Sequence, residues 1–332
     1  MSGTSVPYHL RQNKYVERRV FVDLLGYLDR WQPLEDYLYV GFGAIYFEDF
    51  KLLHYQFAMN KMLSIEREKW VLPRQKVNVP FGCIDHKFCD SGEFIRNLDK
   101  YRRKYRVKNI LAWLDYAGGL EIANQLNDVK AIIPGLLAND ILKVTFEAEP
   151  EKLAPQGVPA DEEVFGARLE KLRSLLGTQF LPDGIKPEQM TETGYPKILC
   201  EAFKRVVAAA IKESPDLVFQ PIGCYAYKDS VQMVTLTGIV LRRADIAGFL
   251  TRTKLGSFEL AGLSWELHRV EVPDLSLREK FILDRVIFNN TAKGVEKRIG
   301  FAFAKDRPES LSMIQSYMKF YRYYPTYYPL VV

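Results

Sequence analysis

The chain has 332 residues, 48% hydrophobic and 13% aromatic, which is ample for a buried core and suits one large domain or a domain with an appendage. A formal net charge of +5 is compatible with an anionic partner but defines no function alone. Four cysteines (Cys83, Cys89, Cys200 and Cys224) show neither paired metal-ligand spacing nor disulfide-scaffold density, no apolar run approaches the ~20 residues of a membrane span, and the first residues carry no signal-peptide core, so the expected setting is a reducing cytoplasm.

Residues 13–31 carry a helical stripe of Val16, Val20, Phe21, Leu24, Leu25 and Leu28. Arg11, Lys14, Arg18 and Arg19, on or before its first turns, read as a solvated face. Pro33 ends the helix, and Leu38, Tyr39 and Val40 then form a short strand that Gly41-Phe42-Gly43 stops. Phe47, Phe50, Leu53 and His54 recur at helical spacing beyond it. Strand, glycine turn and helix open a doubly wound nucleotide-binding fold, in which glycines allow a sharp turn and a close ligand approach. The alternative is a tight strand–helix turn with no ligand.

A second strand over 62–66 ends in Glu66, placed to accept hydrogen bonds from a ribose diol, or else a surface charge among Glu66-Arg67-Glu68-Lys69. Residues 77–85 read as a third strand running into a loop, and residues 91–106 as a basic amphipathic helix. Its Lys100–Arg106 run interleaves aromatics and cations, as a solvated outer face or a phosphate-binding surface does. Residues 109–113 form a buried strand that delivers Asp115 and Tyr116 at its end, where ligands gather in open α/β sheets. Asp115 could equally cap the next helix, 120–133. A fifth strand spans 140–147.

Residues 148–162 read as a loop, followed by helices over 162–176 and 195–213. Strands over 223–227 and 231–241 flank Lys228-Asp229-Ser230, a hairpin with a three-residue turn. Residues 265–270 are strand-like, Ser276 and Glu279 stand at the capping-box interval, and the tail from Tyr317 to Tyr328 is rich in tyrosine. Such a tail packs across a neighbouring surface or forms a protein contact patch. Repeated strand–helix units closed by an antiparallel hairpin follow the plan of class I methyltransferases. The expected fold is α/β, Rossmann-like, with a mostly parallel seven-stranded sheet.

The segments LYVGFGAIYFEDF, MLSIE, NVPFG and ILAWLDYAGG resemble the O-methyltransferase-like Rossmann proteins of bacteria, often encoded in defence-associated gene clusters. The resemblance covers about residues 30–150, more weakly to 245. It implies a helical extension (1–32), a methyltransferase-type domain (33–255) and a small α+β appendage (256–332). It also implies S-adenosylmethionine as cofactor, with Gly41, Phe42 and Gly43 under its methionine part, Glu66 on the ribose, the loop around Asp85 beside adenine, and Asp115 and Tyr116 facing the transfer site. The chain departs from the family motif in lacking the third glycine, and Tyr39 stands near the acidic position before the glycines.

The first functional reading is therefore an S-adenosylmethionine-dependent methyltransferase acting on an unidentified oxygen or nitrogen acceptor. Aligning acceptor and sulfonium is its main catalytic task, with Asp115 orienting the acceptor or taking its proton. His9, His54, His86 and His268 are scattered and suggest no metal site, although His86 beside Asp85 is a candidate base. The alternative is a catalytically silent Rossmann-like binder or scaffold in an antiviral defence complex. A third reading, a nucleic-acid binder or modifier, rests on the net charge and the Lys100–Arg106 run, but the chain lacks the proline-containing tetrad of base-methylating enzymes.

Overall fold

Strand β1 (Leu38–Gly41) lies inside the sheet, and its side chains alternate between two apolar clusters. Leu38 and Val40 enter one, and Tyr37 and Tyr39 the other. The computed structural model describes residues 11–154 and 162–325. Strands β2 (Met62–Glu66), β3 (Ile84–Phe88), β4 (Ile110–Asp115) and β5 (Ile141–Glu147) run parallel to β1. The hairpin β6 (Leu217–Lys228) and β7 (Gln232–Arg242) follows, then β8 (His268–Val270). The eight strands stand in the order β3-β2-β1-β4-β5-β7-β6-β8. β7 is antiparallel to both β5 and β6, while β8 is parallel to β6, so only β7 opposes the rest. The α/β, mostly parallel reading holds, with one strand more than the seven expected.

The helices are α1 (Gln12–Asp29), α2 (Glu48–Phe57), α3 (Leu72–Asn78), α4 (Ser91–Arg96), α5 (Leu98–Tyr105), α6 (Ile122–Ile132), α7 (Glu162–Phe180), α8 (Tyr195–Ala210), α9 (Ile246–Thr253), α10 (Leu277–Val286), α11 (Ala292–Ile299) and α12 (Arg307–Phe320). Residues of α4 to α8 fill the cluster on one face of the sheet. Those of α1, α2 and α9 to α12 fill the other, so the C-terminal helices share a core with α1. No helix among the described residues is long and apolar enough to cross a membrane.

Three local readings need correction. Residues 77–85 are not a strand: Val77 and Asn78 end α3, and the strand begins at Ile84. β3 is the sheet's edge, so Asp85, Lys87 and Phe88 stay exposed and the strand lacks the apolar run that would announce it. The basic helix is two helices parted at Asn97. Within it Arg102 is no surface cation but is buried against Asp140, which is fully buried. Lys104 pairs with Asp85 at 2.6 Å.

The charged face of α1 is the third correction. Lys14, Glu17 and Arg18 are buried. Glu17 meets Lys143 of β5, and neither side chain has any exposure. The Lys143 ammonium lies 4.0 Å from the ring centroids of both Phe21 and Trp113. Asp229, in the predicted hairpin turn, accepts from the backbone N–H of Asn13 (2.9 Å) and Lys14 (3.0 Å), capping α1 across more than two hundred residues. The described tyrosines of the tail also fold back: Tyr317 donates to Asp284 at 2.6 Å and Tyr323 to Asp23 at 2.8 Å. Tyr327 and Tyr328 lie outside the described residues.

Asp140 accepts from the backbone N–H of Ile110 (2.8 Å) and Leu137 (2.7 Å) as well as from Arg102, locking the entry of β4 to that of β5. Arg102→Met leaves this carboxylate buried without its cation. The expected loss in denaturant unfolding is about 3–5 kcal/mol.

Candidate active site

Strands β1, β2, β3, β4 and β5 all deliver their carboxyl ends to one cleft of about 390 Å³. The strand order reverses between β1 and β4, and ligands of open α/β sheets bind at such a switch point. Phe42 and Ala44 follow β1, Glu66 ends β2, Cys89, Asp90 and Ser91 follow β3, Asp115 ends β4 with Tyr116 beyond it, and Glu147 ends β5. Trp70, 57% exposed, stands at the side after β2. Of the residues singled out from sequence, Phe42, Glu66, Asp115 and Tyr116 meet here.

Gly41 and Gly43 do not themselves line the cleft, and their lack of a side chain serves the protein's own packing. A Cβ on Gly41 would stand 2.6 Å from the Tyr39 hydroxyl, and one on Gly43 would stand 2.6 Å from both Phe47 Cε1 and Ser64 Oγ. The left-handed turn positions are Ala44 (φ 46°) and Phe47 (φ 51°). Asp85 is also outside the cleft. It sits level with Leu63, short of the carboxyl ends, and its carboxylate binds Lys104 and the Tyr105 hydroxyl. With β3 displaced along the sequence, the loop entering the cleft is Cys89-Asp90-Ser91 instead. His86 packs edge-on against Phe47, outside the cleft lining.

Glu66 is held ready. One carboxylate oxygen accepts from the Glu68 N–H at 2.8 Å and the other from Gln75 Nε2 at 3.2 Å. Gln75 is fully buried and in turn contacts Ser64 Oγ at 3.4 Å, tying Glu66 to the residue packed beneath Gly43. Burial raises the pKa of Glu66. Its oxygens retain lone pairs for further donors.

Asp115 is a compensated carboxylate. Burial acts to raise its pKa, but Lys14 at 3.1 Å, with Arg18 and Lys143 beyond, holds it below the ordinary carboxylate range. It is therefore ionised at neutral pH, a weak proton acceptor and a strong hydrogen-bond acceptor. Tyr116 contributes its ring, stacked near-parallel on Phe146 and edge-on to Phe42. Its hydroxyl is turned to Asp128 at 2.7 Å.

Sequence reasoning missed Lys14, Arg18 and Lys143 as the groups that set the charge of Asp115. One signal was available: Lys143 interrupts an otherwise strand-forming run, Ile141 to Phe146, and a charge inside a buried strand needs a partner. Replacing Lys14 by Met removes the nearest cation, so the Asp115 pKa should rise. Carboxyl ¹³C NMR titration of the folded variant reads this directly, and an unchanged midpoint counts against the pairing.

The lining of the cleft is predominantly acidic. Among the described residues the lining carries six carboxylates, Glu66, Glu68, Asp90, Asp115, Glu121 and Glu147, and two cations, Arg67 and Lys152, while Lys14 behind the lining pairs with Asp115. The two lining cations are paired, Arg67 with Glu121 at 3.1 Å and Lys152 with Glu147 at 2.5 Å. Among the described residues no cluster of His, Cys, Asp or Glu could hold a metal ion.

A mostly parallel sheet closed by an inserted antiparallel strand, with this cleft at its switch point, defines a Rossmann-like fold of the methyltransferase type. The family model described as putative O-methyltransferase matches residues 6–332, and the chain belongs to that family. Among solved structures, the complex of Trm1 from Pyrococcus horikoshii with S-adenosyl-L-methionine is 13% identical, covering 87% of this chain and 81% of that chain at a TM-score of 0.46. A SAM-dependent methyltransferase from Anabaena variabilis is 13% identical over 70% of this chain and 87% of that chain, at a TM-score of 0.39. No curated protein matches the sequence. At these identities and scores the structural likenesses carry nothing further.

Proposed function

We propose that the protein transfers a methyl group from S-adenosylmethionine to an oxygen or nitrogen acceptor. Its family membership supports methyl transfer as the class of activity. The observation that carries the cofactor assignment is the acidic lining of the switch-point cleft. With Asp115, Glu121 and Glu147 answered by Lys14, Arg67 and Lys152, the carboxylates of Glu66 and Asp90 remain to favour a cationic sulfonium over a pyrophosphate. At about 390 Å³ the cleft is also of the size that takes a small organic cofactor.

The residues fit that cofactor. Glu66, with both oxygens pre-oriented, accepts from a ribose diol. Asp90 and Ser91, which line the cleft where Asp85 does not, would flank adenine, with Trp70 beside it. Phe42, Ala44 and Gly118 would border the methionine part, and a Cβ on Gly118 (φ 118°) would stand 4.0 Å from Glu121 Cδ, at ordinary contact distance. When bound, the cofactor supplies an electrophilic methyl on sulfur.

Asp115 then orients the acceptor by accepting a hydrogen bond from its O–H or N–H. The bound cofactor would supply the methyl to the acceptor's lone pair and leave as the neutral thioether. The acceptor's proton leaves to water. A carboxylate held ionised by Lys14 suits orientation better than proton storage. The alternative, a silent binder serving a defence complex, predicts cofactor binding with no transfer.

Glu66→Ala should weaken S-adenosylmethionine binding by about 1.5–3 kcal/mol in calorimetry. Because the Glu66 pKa is raised, its protonation begins at a higher pH than for an ordinary glutamate. Affinity should therefore fall on acidification sooner than an ordinary glutamate would allow, and this pH dependence should vanish in the Glu66→Ala protein.

Asp115→Asn should cut transfer of labelled methyl by ~10²-fold or more while cofactor affinity survives. Absence of transfer into any small-metabolite or macromolecular fraction by the wild-type protein, despite cofactor binding, decides for the binder.

A further inference from the structure

Behind Asp115 the cleft adjoins a second, smaller chamber of about 60 Å³, room for a few water-sized groups. The two share Asp115, Tyr116, Ala117 and Glu147. The chamber's far wall is the start of α1 with Arg11 and Lys14, and its floor is the β6–β7 turn from Tyr227 to Met233.

Every charged group lining the chamber is already engaged. Lys14 pairs with Asp115, Asp229 spends both oxygens on the N-terminus of α1, Glu147 pairs with Lys152, and Arg11 also has a partner. Two buried oxygens of this lining have no hydrogen bond among the described residues: Glu147 Oε1, which keeps its ion pair with Lys152, and the uncharged Tyr227 hydroxyl, which has nothing in its place. Tyr227 is 2% exposed. Leaving such a hydroxyl unsatisfied is costly, and a well-placed partner recovers that cost. Burial, then the nearby negative charge of Asp115, raises its pKa, so it stays a protonated, uncharged hydroxyl.

We propose that this chamber receives the reacting end of the methyl acceptor, that this end is an uncharged hydroxyl, and that the Tyr227 hydroxyl positions it. The proposal rests on the methyl-transfer reading and, within the oxygen acceptors that the family description names, selects an uncharged alcohol or phenol over a charged group such as a carboxylate. A charged acceptor would enter a chamber whose ion pairs are already balanced and would find no counter-ion. A neutral hydroxyl finds the Tyr227 O–H as a donor and the Asp115 carboxylate as an acceptor. Tyr227 is thus a positioning residue at the opposite side of the transfer site from Glu66.

The test uses the full chain saturated with S-adenosylhomocysteine, titrated with phenol, benzoate and benzylammonium by ligand-observed NMR. Phenol should bind, and Tyr227→Phe should weaken it at least about fivefold, the scale of one hydrogen bond. The charged probes should bind more weakly than phenol. Val231→Phe, which narrows the chamber from the turn, should exclude phenol while S-adenosylhomocysteine still binds. This second variant decides the matter where Tyr227→Phe does not fold. Phenol binding equally to wild type and either folded variant overturns the proposal, as does tighter binding of a charged probe. Failure of the wild-type protein to bind S-adenosylhomocysteine instead overturns the cofactor reading beneath it.

Discussion

The buried ion pair between Lys143 and Glu17 fixes how the molecule is put together. A lysine and a glutamate without exposure are expensive to desolvate, and a single one of them left alone would be more expensive still. The cost is offset locally: Phe21 and Trp113 present ring faces to the ammonium, and Thr235 donates to Glu17 at 3.1 Å. Helix α1 can therefore occupy only one register on the sheet. A slide or a turn of the helix would strand Lys143 in the core. The apolar stripe of Val16, Val20, Leu24 and Leu28 supplies much of the burial, but the ion pair supplies the specificity.

That constraint reaches the cleft within one helical turn. Glu17 in place puts Lys14 on Asp115 and Arg18 over the Trp113 ring at 5.4 Å. The charge state of the carboxylate at the end of β4 is thus set by a helix some hundred residues earlier in the chain. The hairpin turn completes the arrangement, since Asp229 holds the start of the same helix. α1 is consequently a wall of the site and not an extension beside it. The chamber behind Asp115 is built where three distant segments, the N-terminal helix, the end of β4 and the β6–β7 turn, meet.

The sequence disclosed the parallel strands and the hairpin because apolar runs such as Ile110 to Leu114 are buried on both faces of the sheet, and their hydrophobicity is unbroken. β3 escaped because an edge strand needs no such run. Its neighbour α3 was misread because Val77 and Val79 suggest a strand, whereas Val77 is 85% exposed and Gln75 is the residue that is buried. Glu66, Asp115 and Tyr116 were legible as strand-end positions, which follow from strand boundaries alone. Asp85 was misplaced by the same logic applied to a misplaced strand. Lys14 and Tyr227 were not legible as site residues: a lysine on an amphipathic helix and a tyrosine in a hairpin acquire their meaning only from what folds against them.

The turn after β1 reads like a nucleotide cradle, but its glycines and helix end are committed to the protein's own packing. A phosphate cradle needs backbone N–H groups free at a helix N-terminus, with the helix dipole unopposed. Here α2 begins at Glu48 and Asp49, so two carboxylates already answer that end of the helix, and the N-cap Phe47 adopts a left-handed conformation with its ring packed inward. Asp49 is buried and bonded to the Tyr39 hydroxyl, which in turn fills the space beside Gly41. The glycines are used up in this packing, and the positive end of the helix is neutralised internally. What the turn then presents to the cleft is Phe42 and Ala44, an apolar border to an acidic crevice. Such a surface has nothing to offer a phosphate, and under the proposed function it is Glu66 at the end of β2 and Asp90 after β3, not the paired Asp115 and Glu147, that remain for a ligand carrying positive charge.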